Sequence, residues 1–75
     1  AFEVYPNPAN VWLTVSGLEY GQKLMIRNAM GQMVQSFQVQ QTIANIDLSG
    51  MDAGFYMIEC ISEGKVKSTK TLVIE

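Results

Sequence analysis

Apolar residues recur along this chain at every second position over short runs, and Gly, Pro, Asn or Asp ends each run. Seven such runs predict seven strands: Phe2 to Tyr5, Val11 to Ser16, Lys23 to Asn28, Gln32 to Val39, Thr42 to Leu48, Phe55 to Ile61 and Lys65 to Ile74. Alternation assigns Val11, Leu13 and Val15 to one face of the second run, with Trp12 on the other. Leu24 and Ile26 point inward from the third run, and Ala44, Ile46 and Leu48 from the fifth. In the fourth run Val34 and Phe37 differ in parity, which predicts a β-bulge. No stretch keeps apolar spacing at i, i+3, i+4 and i+7, so no helix is expected.

The punctuation between runs is equally informative. Pro6 and Pro8 halt the first strand because neither can donate to a ladder. Asn28-Ala29-Met30-Gly31 reads as a tight hairpin turn in which Gly31 takes positive φ without steric cost. Ser49 to Gly54 forms a corner leading into Phe55 and Tyr56. A Tyr at the start of a penultimate strand, bonded back to the preceding corner, is a mark of immunoglobulin-type sandwiches. Tyr56 takes that place, and Gly54 permits a sharp bend beside it. The position two residues later, where an immunoglobulin domain carries cysteine, is Ile58. The expected fold is therefore all-β, a seven-stranded antiparallel immunoglobulin-like β-sandwich without the disulfide.

Composition bounds what such a domain does. Seventy-five residues hold one core, spanning residues 1–75, and a hydrophobic content of 48% argues against disorder. The net charge is −2, with five Lys and Arg in total. Lys65, Lys67 and Lys70 are the one local concentration of positive charge, too sparse for a phosphate backbone, so no nucleic-acid partner is expected. No run approaches the ~20 apolar residues that span a bilayer, so membrane insertion is not expected. The chain opens directly on an apolar strand, which suggests a piece of a longer protein, and a missing signal peptide then says nothing about the parent's destination.

Catalytic chemistry lacks its parts. There is no His for a Ser-His-Asp or Cys-His arrangement or an imidazole metal site. The seven carboxylates are scattered, and no glycine-rich phosphate loop exists. Asp47 and Asp52 flank one corner, where Ca²⁺ ligation is conceivable, but capping turn amides is the commoner role of such residues. Cys60, alone in an apolar run, reads as a buried, inert thiol rather than a reactive one. The expectation is no enzyme, no metal and no cofactor. If Tyr56, Ile58 and Cys60 face inward, Phe55 and Met57 face outward. They form either a contact surface for another protein or a face covered by a neighbouring domain of the parent.

Three motifs stand in order along the whole chain. Tyr5-Pro6-Asn7-Pro8-Ala9-Asn10 precedes Leu13-Thr14-Val15, Ile46 to Tyr56 fills the middle, and Lys70-Thr71-Leu72-Val73-Ile74 closes it. In this order and spacing the chain resembles the C-terminal sorting domain of proteins exported by the bacterial type IX secretion system. The resemblance implies a folded signal, excised from a larger secreted cargo, that takes its parent across the outer membrane and is cleaved off at the surface. It implies an outer-membrane translocon, carrier proteins of the system and a surface sortase-like peptidase as partners. It also implies passage through the periplasm and arrival at the cell surface or outside the cell.

Carried over onto this sequence, Pro6, Asn7 and Pro8 match the opening motif, Gly54 and Tyr56 the Gly-x-Tyr element, and Lys70 the basic residue of the final strand, which continues through Leu72, Val73 and Ile74. On this reading the prolines leave an extended stretch beside the cleavage region, and the terminal strand offers a carrier an edge with Lys70 as charged anchor. The Asp-x-x-Gly turn of the family is here Asn28-Ala29-Met30-Gly31, and the last residue is Glu75 where many members carry a basic one. A competing function is a carbohydrate-binding or adhesive sandwich module, with Trp12 and Tyr20 as its aromatic platform. A passive spacer is a third.

Overall fold

The computed structural model describes residues 2–75 as seven strands. They are β1 (Glu3–Tyr5), β2 (Trp12–Ser16), β3 (Lys23–Asn28), β4 (Met33–Gln38), β5 (Ile43–Asp47), β6 (Gly54–Ser62) and β7 (Lys65–Ile74). All ladders between them are antiparallel. One sheet has the order β1-β2-β5 and the other β4-β3-β6-β7. The chain passes between sheets after β2, β4 and β5, giving the expected immunoglobulin-like sandwich.

Strand formation follows the period-2 pattern, since one face of each sheet must be buried. Leu13 and Val15 from β2, Ile46 from β5, Leu24 and Ile26 from β3, Tyr56, Ile58 and Cys60 from β6, and Leu72 and Ile74 from β7 fill the space between the sheets. Phe2, Ala9, Leu18, Val39 and Leu48 close the core from the connections. Burying one large side chain of this kind contributes about 1.5–3 kcal/mol. The sandwich is therefore held by interdigitated aliphatics, with no buried polar residue among the described residues.

The bulge falls where parity demanded it. Ile26 pairs with Gln35 and Arg27 with Met33, leaving Val34 without a partner and exposed. The extra residue resets the phase, so Phe37 packs against the core. Val11 departs from expectation. It lies outside β2 and is exposed, because its carbonyl is drawn into a loop bond from Leu48 N–H at 2.7 Å and alternation begins only at Trp12.

The β3–β4 hairpin is closed by the Gly31 N–H donating to the Asn28 carbonyl at 2.9 Å, with Gly31 at φ 84°. Asn28 Oδ1 accepts from Met30 N–H at 3.0 Å and Gln32 N–H at 2.9 Å. An amide oxygen thus does what an aspartate oxygen would do at this turn.

Candidate functional site

The first and last motifs of the sequence meet in space. After β1 the chain bends through Pro6, Asn7 and Pro8, all exposed, and lays Ala9 parallel to Ile74 on the outer edge of β7. Both the Tyr5–Pro6 and Asn7–Pro8 peptide bonds are cis. Asn7 Nδ2 donates to the Thr71 carbonyl at 2.9 Å, and Val73 N–H donates to Asn7 Oδ1 at 3.1 Å. Ala9 N–H donates to the Val73 carbonyl at 2.8 Å, and Glu75 N–H to the Ala9 carbonyl at 2.9 Å. One carboxamide followed by one peptide unit imitates a strand of pairing partners.

Two expectations change as a result. The opening segment is not an extended stretch standing free; it bends back and is tied to β7. The terminal strand does not offer an open edge at its end, because Asn7 and Ala9 fill it from Thr71 to Glu75. The reason is physical: backbone groups along a sheet edge require partners, and the nearest chain supplies them.

Within β7 the motif residues separate by parity. Leu72 and Ile74 are buried between the sheets, whereas Val73 is half-buried and bonded through its backbone to Asn7 and Ala9, the two ends of a strap (residues 7–9) laid along this edge. Lys70 shares the inward parity of Leu72 but lies at the rim, where its Nζ reaches Glu3 Oε2 on β1 at 3.7 Å. Both side chains are more than a third exposed, so the pair contributes about 0–1 kcal/mol at most. It ties one sheet to the other near the strap.

The corner before β6 has the geometry expected of it. The Tyr56 hydroxyl donates to the Asp52 carbonyl at 2.6 Å, and Tyr56 itself is buried. Gly54 adopts φ 149°, a conformation that side-chain-bearing residues rarely adopt, although a Cβ there would meet no atom within 4 Å. Backbone conformation, not lack of room, therefore calls for glycine. Asp47 acts as a turn cap: its Oδ1 accepts from Ser49 N–H at 2.9 Å, and that bond holds its carboxyl below the ordinary value. No group of three or more potential metal ligands occurs among the described residues.

On the solvent side of the four-stranded sheet, Phe55 is 66% exposed and Met57 45%, as parity required. Arg27 lies between Met33 and Met57 in register, and its Nε donates to Glu59 Oε1 at 3.0 Å. A cleft of about 330 Å³ opens beside them, lined by Arg27, Ala29, Gly31, Phe55, Met57 and Thr71. Trp12 and Tyr20 do not form a platform. Trp12 stands at the start of β2, while Tyr20 follows its other end in the β2–β3 connection. Cys60 is buried, and loss of solvation followed by the charge of Glu19 pushes its thiol pKa up. No helix is long and apolar enough to cross a membrane.

The joining of Asn7 to Thr71 and Val73 is the part of this site that residue order could not reveal. The partners are 64 and 66 positions apart, and no local pattern marks an asparagine as an edge partner.

Comparison with known proteins agrees with the motifs. A model of the family described as "Secretion system C-terminal sorting domain" matches residues 3–75. The chain is 35% identical over 72 residues to Beta-agarase A of Zobellia galactanivorans, covering 93% of this chain and 13% of that protein. It thus spans a small fraction of the relative's length. The chain belongs to the secretion system C-terminal sorting domain family, whose members are C-terminal sorting signals for type IX secretion.

Proposed function

We propose that the strapped end of the sandwich, formed by Pro6, Asn7, Pro8, Lys70 and Val73, is the surface that the secretion machinery reads. A carrier and an outer-membrane translocon bind there while the parent protein is in the periplasm. A surface sortase-like peptidase then cleaves on the N-terminal side of Pro6, and the cargo stays at the cell surface or leaves the cell. The observation that supports this reading is the pair of bonds from Asn7 to Thr71 and Val73, which puts the opening and closing motifs on one surface. A reader touching that surface senses both ends of a folded signal at once.

The motif residues divide their roles on this proposal. Pro6, Asn7 and Pro8 are exposed and available for contact, as is the ammonium of Lys70. Leu72 and Ile74 are buried and hold β7 in the core, and Gly54 with Tyr56 holds the corner from which β6 and β7 run. As a sorting signal the domain does no chemistry of its own, and any enzymatic activity belongs to the cargo.

The experiment is a periplasmic reporter fused ahead of the chain in a bacterium with type IX secretion. Lys70→Met should leave the melting midpoint almost unchanged, since the pair with Glu3 is solvent-screened, while surface export of the reporter falls severalfold. Undiminished export in Lys70→Met and in Pro6→Ala/Pro8→Ala would place the reading surface elsewhere on the domain.

A further inference from the structure

We propose that Met30, Met33 and Met57 form one oxidisable site on the outer face of the four-stranded sheet. There a hydroperoxide converts the thioethers to sulfoxides and turns an apolar face polar without unfolding the domain. This goes beyond the sorting role and does not depend on which surface the secretion machinery reads.

Register gathers the three residues around one side chain. Met33 on β4 and Met57 on β6 both pair with Arg27 of β3, so the three side chains stand in one row on one face. Met30 lies in the turn that joins β3 to β4. Phe55 connects it to the row: Met30 and Phe55 line one cleft of about 190 Å³, and Phe55 and Met57 line the larger one beside Arg27. The three methionines are 81%, 54% and 45% exposed, in the order Met30, Met33, Met57, so a small solute reaches all of them.

The chemistry needs only the thioether and the oxidant. The sulfur attacks the hydroxyl oxygen of the hydroperoxide; an S–O bond forms and the O–O bond breaks. Sulfur loses two electrons, and the proton on the transferred oxygen passes to the leaving oxygen, which departs as water or an alcohol. The chain's one thiol, Cys60, does not compete, because it is buried and loss of solvation pushes its pKa up. The remaining methionines are half-buried. Met25 sits between Ser36 and Glu59 in register, and Met51 packs against the core with its sulfur accepting from Gln35 Nε2 at 2.8 Å.

The fold tolerates sulfoxides at these three positions for a local reason. A sulfoxide oxygen is a polar acceptor that requires water or a donor. Each of the three side chains faces solvent, and Met33 and Met57 also flank the Arg27 guanidinium. Its Nε donates to Glu59 and its Nη1 to the Gly31 carbonyl, which leaves Nη2 for an oxygen on either neighbour. A sulfoxide at Met51 would instead be pressed against the core. Oxidation of the outer set therefore changes the surface and spares the interior.

The test is a time course of the 75-residue chain in hydrogen peroxide at neutral pH, followed by intact mass and peptide mapping. Three oxygen atoms should add at Met30, Met33 and Met57 before Met25 or Met51 is modified. The triply oxidised chain should melt cooperatively within a few degrees of the parent and elute earlier from a hydrophobic-interaction column. Methionine sulfoxide reductases should restore the original retention. The chain carrying Met30→Leu, Met33→Leu and Met57→Leu should take up no early oxygen and keep its retention under the same treatment. Modification of Met25 or Met51 in step with the other three overturns the proposal. So does loss of the cooperative melt at three oxygens, an unchanged retention, or an earlier elution of the leucine variant after peroxide.

Discussion

The Tyr56 hydroxyl and the Asp52 carbonyl stand 2.6 Å apart, across the corner that carries the chain from the three-stranded sheet to β6. The bond spans four residues, so it constrains Ala53 and Gly54 and sets the angle at which β6 enters the four-stranded sheet. β6 pairs with both β3 and β7, and an error at this corner would propagate through most of that sheet.

Removing the hydroxyl therefore has a measurable cost. Tyr56→Phe keeps the buried ring and leaves the Asp52 carbonyl without this donor, which should destabilise the domain by about 1–2 kcal/mol. Urea unfolding should show a lower midpoint with an unchanged slope. An unchanged midpoint would mean that water replaces the hydroxyl at no cost.

Leu72 tests how far the closing motif is structural. It is fully buried near the C-terminal end of β7, and Leu72→Ala should cost about 2–5 kcal/mol. For a domain of this size that is a large part of the total stability, so cooperative unfolding near room temperature is the expected outcome. Thr71→Ala, at an exposed neighbouring position, should leave the calorimetric melt within a few degrees of the parent.

Acid sensitivity should pass through Asp47. Its folded carboxyl lies below the ordinary 3.8 because the Ser49 N–H, then the Ser49 side chain, favour the charged form. A depressed folded pKa gives stability that is present above the unfolded value and is lost as pH falls through the folded one. Asp47→Asn retains an oxygen acceptor but cannot titrate, so the acid limb of the stability profile should flatten below about pH 4. An unaltered acid limb would assign that limb to other carboxylates.

Cys60 should be silent in the folded chain. Burial, together with the charge of Glu19, disfavours its thiolate, and the thiolate is the reactive form. Iodoacetamide at neutral pH should leave the native chain unlabelled and modify it rapidly in denaturant, as read by intact mass. Rapid labelling of the native chain would show that the β6–β7 region opens readily.

Much of the fold was legible in the residue pattern because its signals are local. Alternation alone places Leu24, Ile26, Ile58 and Cys60 inside and Phe55 and Met57 outside. The parity conflict between Val34 and Phe37 marks the bulge, and Asn28 to Gly31 marks the hairpin. Val11 misled because parity says nothing about where a ladder starts; a loop bond to Leu48 removed it from β2. The aromatic platform of Trp12 and Tyr20 failed because the length of β2 lies between them.

By itself, then, the sequence determined a β-sandwich with a tyrosine-pinned corner, and carried the motifs that resemble a secretion signal. The sandwich and its corner follow from period-2 burial and turn chemistry, which act over a few neighbouring positions, whereas the signal was read from a resemblance to a known family. Tertiary structure alone decided that Asn7 closes the edge of β7, that Lys70 faces Glu3, and that Arg27 meets Glu59. Those partners lie tens of residues apart, and which edges and faces come together depends on how two sheets twist and stack around a shared core. The opening motif is exposed as its prolines suggest, but the sandwich has bound it to the final strand.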